Sequence, residues 1–256
     1  MKLLKILSDS AKLLFSTPKF FIPRILTTAI YTVVTLYTAS ITAKALSQVK
    51  PDSSIIISLI LLLAFMPLLY LFDVLTYAMY PKMVSDKMKK KKISLRSAFS
   101  EALKSIKSVI VVAFVVFVFA LFSSLVFSPL LLYSLNSGNI PALIVTFLVF
   151  LLIIIIFSII VFFVIPSSVI SKRGVAESFR ESYTLGIRHR WPLFKLNMVF
   201  AVLAVATLYL VFMSEITGEK NLAAILSFIL VRAIQAVVYT YLCITNPRAY
   251  LDVRNY

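Results

Sequence analysis

"SVIVVAFVVFVFALFSSLVFSPLLLYSLNSGNIPALIVTFLVFLLIIIIFSIIVFFVIPSSVIS", residues 108–171, contains no charged residue, and only "SLNSGNIP" at 134–141 divides it. A helix rises 1.5 Å per residue and the hydrocarbon core of a bilayer is about 30 Å thick, so roughly 20 apolar residues cross it. This stretch is long enough to cross twice, over about 109–133 and 142–170. It reads as a tight helical hairpin with no soluble loop, and that sets the class of the whole chain.

Working outward, four more stretches meet the same criterion, at about 21–43, 55–80, 196–213 and 222–245. Composition agrees: 61% of residues are hydrophobic and 14% charged, against about a quarter charged in soluble domains, and the mean hydropathy is +1.01. A chain of 256 residues then forms one membrane domain, 1–256, with no room for a separate soluble enzyme domain. Ala43-Lys44-Ala45 resembles a leader cleavage site, but the apolar run Ile25 to Ala43 exceeds the roughly 7–15 residues of a signal peptide. It reads as a span. Cys243 is the only cysteine, so intrachain disulfides are impossible.

The net charge is +16, and its distribution gives the orientation. Between spans, 22 of the 26 Lys and Arg residues fall in segments 1–24, 81–108, 171–195 and 246–256, all on one side. The other side carries Lys44, Lys50 and Lys220, offset by Asp52, Glu215 and Glu219. Positive charge stays inside, so both termini are expected in the cytoplasm. Four consecutive lysines, Lys89, Lys90, Lys91 and Lys92, together with Arg188 and Arg190, are the candidate contacts to anionic lipid or to a polyanion. Orienting helices needs far fewer charges than this, which leaves both roles open.

Three basic-side segments space apolar residues by three and four, the stripe of an amphipathic helix. "LLKILSDSAKLLF" aligns Leu4, Leu7, Ala11 and Leu14; "SLRSAFSEALKSIK" aligns Leu95, Phe99, Leu103 and Ile106; "GVAESFRESYTLGIRHRW" aligns Val175, Phe179 and Tyr183. Within the last two, Phe99 matches Phe179 and Glu101 matches Glu181. The expected fold is an all-α polytopic membrane protein of six transmembrane helices in three hairpins, each preceded by a cytoplasmic amphipathic surface helix. Its repeat-like units are about 1–80, 93–170 and 174–245, followed by a tail at 246–256. Successive copies run in the same direction, unlike the inverted repeats of many transporters.

Inside the spans, Arg232 lies near mid-membrane, beyond snorkelling reach of either end, with Gln235 one turn on; Asp73 lies near the inner interface. These three are the candidate translocation-path residues, Arg232 either lining an aqueous or anion-permeable route or binding carbonyls of another helix. An Asp73–Arg232 pair would require helix tilt to close about 12 Å of depth. Pro67, Pro129 and Pro166 can kink their helices. One histidine, His189, and one cysteine make no metal cluster, and no phosphate-binding glycine loop or hydrolase motif occurs. No enzymatic activity, cofactor or metal is expected. A carboxylate pair of the kind that couples carriers to ions is also missing, so uphill movement would draw on another subunit's energy.

The stretch 164–200, with Pro166 followed by "GVAESFRESYTLGIRHRWPLFKLN", resembles the membrane region of six-span proteins related to glycerophosphodiester phosphodiesterases, without any phosphodiesterase domain. The overall format, a short, very basic, Ile/Lys/Ser-rich chain of three hairpins, resembles the polytopic membrane subunit of the crenarchaeal exchange-of-DNA (Ced) import system. That resemblance implies a DNA-import channel component in an archaeal cell membrane. It would work with small membrane subunits and a separate translocation ATPase, in an oligomer or hetero-complex among membrane lipids. The alternatives are a membrane-organising, lipid-interacting protein without a pore, and a small-molecule carrier.

Overall fold

The computed structural model describes residues 2–46, 53–216 and 222–254. The side chains of Lys44, Lys50, Asp52, Glu215, Glu219 and Lys220, the charges expected on the sparse side, lie outside the described residues. The chain forms helices α1 (Leu3–Ser16), α2 (Phe21–Leu46), α3 (Ser53–Tyr77), α4 (Met79–Met88), α5 (Leu95–Lys104) and α6 (Ile106–Asn136). It continues through α7 (Ile140–Val161), α8 (Val164–Ser171), α9 (Val175–Arg188), α10 (Arg190–Ile216) and α11 (Leu222–Arg254), with a 3-10 turn at Pro18–Phe20. No strand occurs among the described residues. Among the described residues, six stretches are long and apolar enough to cross a membrane: Pro18–Thr42, Ser53–Met88, Ile106–Asn136, Ile140–Ser171, Arg190–Val211 and Ile225–Arg254.

The decisive charge-free stretch forms α6 and α7, which pack together, the rings of Phe119 and Phe157 stacking at 3.7 Å. The expected eight-residue divider contracts to Ser137–Asn139. Gly138 takes φ +65°, a conformation cheap only without a Cβ, and the Asn139 side chain accepts the Ala142 N–H at 3.1 Å, capping α7 just ahead of Pro141. At the other end, the expected single span 142–170 breaks at Phe162–Phe163. Pro166 has no N–H to give the Phe162 carbonyl, and Asn246 of α11 supplies one instead, at 2.7 Å. The Ser182 hydroxyl of α9 closes the rest of the break, accepting the Phe163 N–H at 3.0 Å and donating to the Ile160 carbonyl at 2.7 Å.

The densest packing lies at one end of the bundle, the end bearing Lys89–Lys92. Ala78, Tyr80, Met83, Val84, Val109, Val164 and Ile244 form one buried cluster there; Ile6, Phe163, Leu193, Leu196 and Tyr250 form another. The far half is sparse, and in α3 the side chains of Ile56, Ile57, Leu59, Ile60, Leu61, Leu63, Phe65, Met66 and Leu68 are exposed, together covering most of the helix circumference. An uncovered apolar helix of this kind suits a lipid solvent.

At the dense end, α1 packs on α11, α5 on α4 and α9 on α8. The most buried faces are offset from the apolar stripes read from spacing, although Leu14 is buried and Leu7, Leu95 and Phe179 pack half-buried against the clusters. In α5 the buried residues are Ala98 and Ala102, while Phe99 and Leu103 are 40% and 43% exposed. In α9 they are Ser178, Ser182 and Gly186, while Tyr183 is exposed. In α1 they are Ile6, Ser10 and Leu14, with Leu4 exposed. Small residues let the short helices approach closely: a Cβ at Gly186 would stand 2.9 Å from the Ile159 carbonyl oxygen.

Candidate functional site

Proline 23 and the 3-10 turn ahead of it start α2 below the apolar run, and the first turn of that helix carries Arg24 inward. Arg24 sits with its side chain 11% exposed, Nη1 donating to Asp73 Oδ1 of α3 and Nη2 reaching the Cys243 sulfur of α11 at 3.3 Å. Its guanidinium also lies 5.6 Å from the centre of the Tyr239 ring, a cation–π distance. In the sequence, Arg24 closes the N-terminal basic segment and counts as an interfacial charge. The structure corrects that count: Arg24 is the partner of Asp73, and the pair is internal.

Around the pair lies a cavity of about 520 Å³ to which every one of the six spans contributes. Arg24 comes from the first, Asp73 and Tyr77 from the second, Val112 from the third, Ser158 and Val161 from the fourth, Asn197 and Phe200 from the fifth, and Tyr239, Cys243 and Asn246 from the sixth. Its polar groups are held in place rather than loose. Ser158 donates to Asn197 Oδ1 at 2.8 Å, and Asn197 donates to the Leu193 carbonyl at 3.0 Å. Asn246 keeps one buried oxygen, Oδ1, without a hydrogen-bond partner among the described residues.

A second cavity of about 230 Å³ adjoins it and shares Arg24, Asp73 and Tyr239 with it. Its remaining wall comprises Thr28, Tyr31, Arg232 and Gln235. Arg232 Nη1 donates to Gln235 Oε1 at 3.0 Å and Nη2 to Thr35 Oγ1 at 3.1 Å, while Gln235 Nε2 donates to the Tyr239 hydroxyl at 3.3 Å. The expected path residues Arg232, Gln235 and Asp73 therefore line one cavity. Asp73 spends its charge on Arg24, and the ladder Thr35–Arg232–Gln235–Tyr239 leads from mid-span toward that pair.

The Arg24–Asp73 pair stands at the junction of the two cavities. A paired arginine and carboxylate present little net charge to a passing solute, whereas separated they present one of each sign in a low-dielectric setting. The arrangement can thus act as an electrostatic divider between the two cavities. Sequence reasoning missed Arg24, Tyr239, Ser158, Asn197 and Asn246. For Ser158 and Asn197 a readable signal existed, since a polar residue inside an otherwise apolar span is costly unless it is satisfied within the bundle; Asn246 fell in the expected tail, which the structure builds as the continuation of α11.

The candidate contacts to lipid or polyanion lie elsewhere. Lys89–Lys92 are exposed in the α4–α5 connection, a turn in which the Lys91 N–H reaches the Asp86 carbonyl at 2.8 Å and Lys90 adopts φ +57°. Arg188 and Arg190 are exposed on either side of His189, where α9 gives way to α10.

No family model, curated protein or solved structure matches this chain. Among the described residues no group of three or more His, Cys, Asp and Glu side chains is placed to hold a metal ion. The functional argument therefore rests on the cavity and the charge around it.

Proposed function

We propose that this chain is the membrane subunit of a macromolecular translocation machine, with DNA as its cargo and both termini in the cytoplasm of the cell whose membrane it spans. The observation that supports it most is the cavity walled by all six spans, with the Arg24–Asp73 pair in its wall, continued toward Arg232. A bundle built only to anchor itself has no need of Arg24, Asp73, Asn197 and Arg232 in its interior, where each is expensive. Excess positive charge on one face then draws a phosphate backbone toward the entrance, in a salt-sensitive and sequence-independent way.

The finer architecture belongs to the same proposal. Three hairpins, α2–α3, α6–α7 and α10–α11, each follow one short helix, α1, α5 and α9, that lies in the inner interface. The exposed Phe99, Leu103 and Tyr183 enter the headgroup boundary while the small-residue faces dock on the bundle. Each hairpin ends in an inner extension, α4, α8 or the last turns of α11, and the short helix of the next unit packs on it. The N-terminal helix closes the ring on α11.

A cavity of about 520 Å³ has the volume of a small-molecule site, so DNA passage requires other subunits to widen or complete the path. The same volume favours a second reading, a carrier of a small polar solute. Deleting the gene in cells that import DNA, and complementing with wild-type or Arg232→Gln protein, separates them. The proposal expects uptake to be abolished and restored only by wild type. Wild-type uptake in the deletion strain overturns the cargo assignment, and loss of a small solute's flux alongside it establishes the carrier.

A further inference from the structure

Away from the central cavity, a pocket of about 270 Å³ opens at the dense end of the bundle, where α5 and the start of α6 face the end of α8 and the start of α9. Four cations line it, Lys104, Lys107, Lys172 and Arg173, against a single carboxylate, Glu101. Lys104 is committed to Glu101 at 2.8 Å and Arg173 to Glu181 at 3.4 Å. Lys107 and Lys172 make no ion pair among the described residues. Lys172 is aimed from a left-handed backbone, φ +53°, that ends α8.

Hydrogen-bond donors converge on the same space. Ser108 and Ser168 are both only 4% exposed, both line the pocket, and neither hydroxyl has a hydrogen-bond partner among the described residues. Helix α9 begins at Gly174 without a side-chain cap, a Cβ there would meet nothing within 4 Å, and Gly174 and Val175 line the pocket. An uncapped helix start, the hydroxyls of two buried serines and two lysines outside any ion pair form a receptor for an oxyanion. The Glu101 carboxyl itself is held below the usual carboxylate range by the hydrogen bond from Lys104 and the charges of Lys104, Lys172 and Lys82.

We infer that this pocket binds a phosphate group. It sits at the ends of the third and fourth spans, at the depth where inner-leaflet headgroups lie, and basic pockets between helices at that level hold anionic headgroups. A phosphomonoester on a lipid and a free phosphate offer the same oxygens. The site is independent of the translocation reading and shares no residue with the central cavity.

Calorimetric titration of detergent-solubilised full-length protein tests it, with dioctanoyl phosphatidic acid, inorganic phosphate and dioctanoyl phosphatidylcholine as separate probes. Phosphatidic acid is expected to bind one site per chain, about thirtyfold more weakly in the Lys107→Gln, Lys172→Gln double variant, the loss corresponding to two interfacial lysines. The variant with Lys89–Lys92 all changed to Gln keeps wild-type affinity. Binding of inorganic phosphate with equal strength identifies a free anion as the ligand, and preference for the lipid identifies the headgroup. Ser168→Ala, which leaves every charge in place, also weakens binding, so a poorly folded double variant does not decide the matter. Absence of binding by either phosphate probe, equal binding of phosphatidylcholine, or unchanged affinity in both pocket variants overturns the inference.

Discussion

Asp73 and Arg24 show what a single residue contributes when its solvent is lipid. Removing one member of an internal ion pair leaves the other charge uncompensated, a loss of about 3–5 kcal/mol, whereas removing both is far milder. Asp73→Asn is therefore expected to lower the thermal midpoint in detergent sharply, and Arg24→Gln with Asp73→Asn to recover most of it. A double variant as unstable as the sum of its singles would show that the two side chains do not depend on each other. His189 makes a separate prediction. Burial, then neighbouring positive charge including Arg188, holds its imidazolium below the ordinary value of 6.5, so the folded protein takes up a proton less readily than the unfolded chain. Stability should fall as pH drops through that ordinary value, and His189→Gln should flatten the decline between pH 7 and 5. At this scale the sequence spoke unevenly. Arg232 announced itself by its distance from either end of an apolar run, but Arg24 sat at the edge of such a run and passed for an anchor until helix α3 was seen to bring Asp73 to it.

Helix α9 carries the argument for elements. Its small face repairs the break between α7 and α8, with Ser182 serving both Phe163 and Ile160 and Gly186 lying against Ile159. Ser182→Ala leaves two buried backbone groups without their partner and is expected to cost about 1–3 kcal/mol. Gly186→Val should cost more, because its side chain meets backbone that cannot move aside; a midpoint within 1 °C of wild type for Gly186→Val would contradict the close approach. Spacing located all three short helices and their apolar stripes, but not which face of α5 docks on the bundle. Periodicity marks where large apolar residues lie, and in a membrane protein those residues have lipid as an alternative to the protein interior. A clearer signal was present in the inner extensions. Pro81-Lys82 and Pro247-Arg248 are each followed by an aspartate four residues beyond the basic residue, giving the Lys82–Asp86 and Arg248–Asp252 pairs at 2.7 and 3.7 Å. Pro166 occupies the corresponding place in α8, where Asn246 compensates for its missing N–H.

For the whole molecule, hydropathy alone located six spans, because length and apolarity are set by the bilayer and owe little to tertiary contacts. The cavity could not be located that way, since it depends on which faces of six helices meet. Its walls come from residues as far apart in the chain as Arg24 and Asn246. Cys243, the only cysteine, lies in that wall against Arg24 and serves as a native reporter of access. The most direct measurement of the central claim is labelling of Cys243 by a membrane-impermeant thiol reagent, applied to each side of vesicles holding the full-length protein. A polar path divided by the Arg24–Asp73 pair predicts labelling from the side bearing Lys89–Lys92 in the wild type, and from the opposite side once Asp73→Asn has broken the pair. Failure to label from either side, in wild type and variant alike, while denatured protein labels fully, would contradict the path.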